Sequence, residues 1–144
     1  MADTCIWTTE GLAAIADGRI AAAVTGDDFM IAAYVAAAAL DADTDAYTVT
    51  DEVADGLGYS AGGVAMTGAA LVENGGEEIV DFDDPVWPLA SFTARKFLVY
   101  LNTAGNKAVA LITYDADKTG TGGNFTLTMP AATAGNGFLR LTQP

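Results

Sequence analysis

Asp41, Asp43 and Asp45 occupy the first, third and fifth places of a stretch, DADTDAYTVTDE, that Glu52 closes at the twelfth. This is the ligand spacing of a helix–loop–helix calcium site, where carboxylates at those places wrap the ion. The sixth place decides against it. Such a loop turns sharply on glycine there, and this chain has Ala46. The residues after Glu52 are rich in glycine and valine, so no flanking helix is expected either. The stretch is therefore predicted to be a turn and interface loop without a specific calcium site. A second match, DADKTG from Asp115 to Gly120, has the glycine but reaches its twelfth place at Thr126. It reads as a hairpin loop between strands, whose Asp and Gly serve turn geometry. DFDDP, Asp81 to Pro85, reads as a solvated loop ended by proline.

Paired carboxylates could instead be the acid and base of a glycosidase, which needs them across a cleft in different environments. Beyond Trp87 and scattered tyrosines, no aromatic platform accompanies them. The chain has no histidine, which removes the usual general base and the commonest zinc ligand. Ser60 and Ser91 thus lack an activating partner. Cys5 is the only cysteine, so an intrachain disulfide and a thiolate cluster are both ruled out. It reads as a passenger, with an intersubunit bridge as the sharper alternative. GTGGN lies between strands rather than ahead of a helix, which is not the setting of a phosphate loop. The expectation is a protein that is not an enzyme, with no catalytic residue, no metal ligand and no cofactor.

Six basic residues against nineteen acidic ones give a net charge of −13. Such a chain repels phosphate backbones and anionic lipid surfaces, so neither nucleic acid nor a membrane is expected as a partner. Arg95 and Lys96 are the only basic pair and read as residues at the edge or outer end of a strand. FMIAAYVAAAAL is too short to cross a bilayer and is bracketed by aspartates. MADTC lacks the basic start of a signal peptide, and the chain reads as made in the cytosol and soluble. Apolar residues make up 51% and charged residues only 17%, against a usual ~25%. A weakly charged exterior points to subunit contacts.

At 144 residues the chain is long enough for one domain with its own core. Leu12, Ile15, Ala16, Ile20 and Ala23 share one face of a helix over residues 9–24, with Thr8 or Thr9 as N-cap and Glu10 in the first turn. Gly18 is a point where that helix can end early. FMIAAYV predicts a buried strand to about Ala36. Leu40 to Gly63 predicts a long loop with a short strand at YTVT, ending in a tight turn on the glycines of GYSAGG. Asn74-Gly75-Gly76 predicts a hairpin between two strand-like runs. Phe97–Leu101 and Ala108–Ile112 are apolar at successive positions, which predicts strands covered on both faces at the sheet centre, with NTAGN as their turn. NFTLTMP and GFLRLTQ predict a last, more exposed strand pair. Trp7 and Trp87 read as packing anchors. The sum is a mainly β chain, a single antiparallel β-sandwich or flattened barrel of six or seven strands over 27–144, with one N-terminal helix and an arm over 1–8.

The order of these features resembles a family of short bacteriophage virion structural proteins, of the capsid decoration and head-fibre kind. GLAAIADGRI leads to FMIAAYV and an acidic loop, then LGYSAGG, DFDDPVW, TARKFLVY, ALITYD and a terminal GFLRL, over nearly the whole chain. The resemblance implies a structural role in the virion, with the major capsid protein or other virion proteins as partners and no catalytic residue to carry over. Strands apolar on both faces, together with few surface charges, point to a homo-oligomer, with a trimer expected by analogy with β-rich virion spikes. Packaged DNA carries a charge every ~1.7 Å of its axis and repels a subunit of this sign, which places the protein on the outer capsid surface after synthesis in the host bacterial cytoplasm. The alternative is a tail or fibre component that takes part in host attachment. Three features depart from the family pattern. Pro88 follows the tryptophan, the first strand runs on into alanines, and AATAGNG lengthens the last hairpin.

Overall fold

The apolar runs Phe97–Leu101 and Ala108–Ile112 lie side by side in the middle of a sheet, as their two-sided hydrophobicity requires. The computed structural model describes residues 4–26, 28–103, 105–129, 132 and 138–142. Along the chain come β1 (Thr4–Trp7), α1 (Thr9–Ala16), α2 (Arg19–Gly26), β2 (Phe29–Tyr34) and β3 (Val64–Ala65). β4 (Ala70–Asn74), β5 (Glu77–Asp81), β6 (Val86–Ala90), β7 (Thr93–Leu101), β8 (Ala108–Thr119), β9 (Gly123–Thr126) and β10 (Leu139–Thr142) follow. The main sheet has the order β1-β8-β7-β2-β3, a second is β10-β5-β4 and a third β6-β9. All pairings are antiparallel. The chain is mainly β and sandwich-like, as expected, with more strands than the six or seven predicted and with sheets that do not close into a barrel.

Side chains alternate across the main sheet. Phe29, Ile31, Phe97, Val99, Leu101 and Ile112 point into the larger core, against the two helices and the smaller sheets. Ala32, Tyr34, Leu98, Tyr100 and Leu111 point the other way, beneath Ala38, Leu40 and Tyr47 of the long loop. Trp87 anchors the larger core at 1% exposure. Its ring lies 5.9 Å from Phe92, 5.9 Å from Phe97 and 5.7 Å from Phe125. Trp7 is half-buried against the same core and lines a small cavity of about 140 Å³ together with Ile15, Ile20 and Val80.

Local chemistry explains most boundaries. Thr8 is the N-cap of α1, with its Oγ1 accepting from the Gly11 N–H at 2.9 Å and donating to the Ala108 carbonyl at 3.0 Å. Gly11 lies where any Cβ would overlap the Val109 carbonyl, which lets the helix start seat directly on β8. The single helix expected over 9–24 is two, because Gly18 takes φ +83° and Asp17 caps the Arg19 N–H at 3.1 Å. Of the expected arm, residues 4–7 are an edge strand paired with β8, and residues 1–3 lie outside the described set. YTVT forms no strand. Its neighbour Ala46 makes an isolated bridge to Lys107 instead.

The Asn-Gly-Gly hairpin joins β4 to β5, with Gly75 at φ 62° and Gly76 at φ 82°. The last two strand runs do not pair with each other. β9 pairs with β6, where Phe125 joins the Trp87 cluster, and β10 pairs with β5, where Arg140 reaches Glu77 at 3.0 Å. DADKTG is not a hairpin loop either. The register steps from Ala94↔Lys118 to Lys96↔Thr113, so Tyr114–Asp117 bulge out opposite Arg95 within β8.

Gly63 tests the turn before β3. It holds φ +81°, and a Cβ there would run into the Ile31 carbonyl. Gly76 holds φ +82° with nothing within 4 Å. Gly63→Ala is expected to lower the unfolding free energy by about 3 kcal/mol, and Gly76→Ala by about 1 kcal/mol. Urea titration of both variants measures the difference, and equal losses would assign the cost to backbone dihedral alone.

Candidate functional site

Glu52, the residue that would close a calcium loop, turns inward. Its Oε1 accepts from the Tyr59 hydroxyl at 2.6 Å and from the Gly62 N–H at 2.7 Å, and its Oε2 accepts from the Tyr47 hydroxyl at 2.7 Å. The Tyr59 hydroxyl in turn accepts from the Ala33 N–H at 2.9 Å. Tyr100 donates to the Gly62 carbonyl at 2.7 Å and Tyr34 to the Thr48 carbonyl at 2.8 Å. The Tyr47 and Tyr100 rings stack at 4.9 Å. β2 supplies Tyr34, β7 supplies Tyr100, and the loop supplies the rest. The result is a polar cluster that ties the loop to β2, with Tyr47 against Tyr100 on the outer face of the main sheet and Val53 and Tyr59 packed into the larger core. Burial, reinforced by the Glu52 charge, raises the pKa of Tyr34, Tyr47, Tyr59 and Tyr100 above the ordinary tyrosine value.

The remaining members of the calcium-like spacing do not converge with Glu52. Asp41 accepts from the Asp43 N–H at 2.9 Å, an Asx turn, and Asp43 accepts from the Thr9 hydroxyl at 3.3 Å. Among the described residues, no three His, Cys, Asp or Glu side chains are grouped to hold a metal ion. The DFDDP segment is a clasp more than a solvated loop. Asp83 accepts from the Thr67 hydroxyl at 3.1 Å, and Asp84 from the Met129 N–H at 2.6 Å. Asp55 accepts from the Ala61 N–H at 3.0 Å, bracing the turn at Gly56–Tyr59. Arg95 pairs with Asp117 at 2.8 Å, and the Lys96 ammonium donates to the Ala38 carbonyl. Both lie in the first half of a central strand rather than at a sheet edge. Ser60 and Ser91 lie in connections, and exposed Cys5 lies on β1.

A surface groove of about 640 Å³ opens between the β8 bulge and β9, walled by Tyr114, Asp117, Lys118, Asn124, Phe125 and Thr126. The Lys118 ammonium stands 4.6 Å over the Tyr114 ring. Nothing in the sequence pattern pointed to this groove, because the bulge that makes one wall is invisible to hydrophobic periodicity. The Glu52 cluster was equally hidden, since its tyrosines come from three separate stretches. Comparison with protein-family models, with curated proteins and with solved structures gives no match to this chain.

The tyrosine cluster carries a pH dependence whose sign is fixed. Folded tyrosines with raised pKa values hold protons that the unfolded chain releases near its ordinary value of 10.0. Their stabilisation is complete below about pH 10 and is lost as the pH climbs above it. Tyrosinate absorbance is expected to rise together with unfolding rather than ahead of it. In Tyr59→Phe the alkaline loss should be shallower, on a protein already weakened by about 1–3 kcal/mol. A full tyrosinate signal from folded protein would contradict the cluster.

Proposed function

We propose that the chain is a non-enzymatic structural protein of a bacteriophage virion, a capsid decoration or head-fibre component on the outer capsid surface. The observation that carries this reading is the use made of the carboxylates. Glu52, Asp55, Asp83 and Asp84 each accept hydrogen bonds from the chain's own backbone or hydroxyl groups. They brace loops, and these four carboxylates are engaged in structure instead of facing one another across a cleft. Acyl transfer by a serine–histidine pair is excluded by a chain without histidine. A scaffold of braced loops on a low-charge β-domain suits a protein whose work is contact.

The net charge of −13 supports an outward position, since packaged DNA would repel the subunit over a Debye length of about 8–10 Å. The order of sequence motifs supports the virion, with the major capsid protein as principal partner and a homo-trimer as the assembly unit. The groove beside Tyr114 favours a second reading, a tail or fibre component. Its hydroxyl- and amide-rich wall with two aromatic rings, Tyr114 and Phe125, suits contact with a host surface.

On purified, DNA-filled particles, a membrane-impermeant amine reagent is expected to modify Lys107 and Lys118. Their ammonium groups lie beside Glu10 at 3.9 Å and over Tyr114, at the surface of the subunit. Protection of both lysines until the particle is opened would place the protein inside. Light scattering of the isolated protein should return a trimer. A clean monomer at tens of micromolar that gains no order on adding capsid would remove the oligomer from the proposal.

A further inference from the structure

Among the described residues, four that are not glycine hold a left-handed backbone: Asp51, Leu57, Leu89 and Asn106. Aspartate and asparagine adopt it readily, because a short polar side chain can bond to its own backbone. Leucine has no such compensation. Leu57 holds φ 52° and Leu89 φ 53°, and the two residues are 74% and 75% exposed. Strain and solvent exposure fall on the same two residues, and the monomer packs little against either in return.

The two leucines belong to one surface. The Leu57 carbonyl accepts from the Ser91 N–H at 2.8 Å. Gly58 runs so close to β6 that a Cβ would lie 2.5 Å from the Leu89 carbonyl oxygen. Both supports are fixed before any partner arrives. The turn at Gly56–Tyr59 is closed by reciprocal backbone bonds of 2.8 and 3.0 Å and held by Tyr59 on Glu52. Leu89 stands in the bulge between Trp87 and Ala90. Exposed Pro88 and Val86 extend the apolar surface along β6.

The electrostatic setting selects the partner. From Ile20 to Ala94 the chain has fourteen acidic residues and no basic one. Asp55 flanks Leu57, and Asp83 and Asp84 precede Val86. Two copies apposed through this patch would set aspartate against aspartate, whereas a cationic border would be attracted. We infer that Leu57 and Leu89 form a preset contact that docks into an apolar socket, bordered by lysine or arginine, on a neighbouring protein of different sequence. The identity of that neighbour as the capsid shell rests on the virion reading above. Because the backbone is already fixed, docking orders little and the contact is preorganised.

Leu57→Gly and Leu89→Gly, singly and combined, remove the side chain and the backbone strain together. Each single variant is expected to melt at or above the wild-type temperature, since glycine accepts this backbone freely. Sedimentation with purified capsid shells stripped of this protein gives the second readout. Wild type should bind, less tightly as salt is raised, and the double variant should lose at least tenfold in affinity. A lower melting temperature in the single variants would mean that the leucines serve the monomer, and would overturn the inference. Equal binding by wild type and double variant would overturn the leucine contact and leave the virion reading standing. Absence of wild-type binding would overturn both. Self-association that the double variant abolishes would give the patch to a second copy and overturn the partner assigned here.

Discussion

The hairpin of β7 and β8 is apolar on both faces, and each face has to be shielded from water by something else. Most of the architecture follows from that demand. Toward one side, Phe97, Val99 and Leu101 call for a thick cover, which the helices and the two smaller sheets provide around Trp87. Toward the other, Leu98, Tyr100 and Leu111 need only a thin one, and a loop is enough. A loop that covers a sheet must itself be held. Backbone bonds tie it to the sheet at its ends, where the Ala108 N–H donates to the Asp45 carbonyl, the Val35 N–H to that of Asp51 and the Val53 N–H to that of Ala33, and side chains hold it between them. That is the part played by Glu52 and its tyrosines, which satisfy one another and leave the loop little freedom to lift.

Seen from that cover, the acidic composition has a structural use that a charge count hides. A carboxylate accepts several hydrogen bonds at once and fits loops with N–H groups to satisfy and no strand to satisfy them. Asp55 at the Ala61 N–H and Asp84 at the Met129 N–H are of this kind, as is Asp17 at the break between the helices. Spacing alone suggested calcium for Asp41 to Glu52. The fold separates them because Asp41 and Asp43 stay in a local turn by α1, whereas Glu52 follows Tyr34 onto the end of β2.

What was legible in the sequence is what local chemistry decides. The Asn-Gly-Gly turn, the Thr8 cap, the weak point at Gly18 and the central hairpin each have a residue-level cause that operates without the rest of the fold. Strand partners were less legible. Alternation in NFTLT and FLRLT gives each run a face but names no neighbour, and β9 and β10 went to β6 and β5. The bulge at Tyr114–Asp117 was hidden for a related reason, since an inserted segment looks like a loop until the register on both sides is known. Left-handed leucines lie furthest from sequence reasoning, because leucine is among the residues least expected there.

β6 combines core packing, a register break and a left-handed residue in five residues, Val86 to Ala90. Trp87 and Ala90 face inward and set the two ends of the pairing with β9. Between them the ladder lapses, and a lapse in a sheet ordinarily strands an N–H. Pro88 has none to strand, which makes the bulge inexpensive. With the ladder already interrupted, Leu89 can take a backbone no paired strand residue would hold, and its side chain is turned out to solvent. The inward tryptophan and the outward leucine are thus two results of one bulge. The same bulge keeps the aromatic core in register and leaves an apolar side chain fixed on the surface.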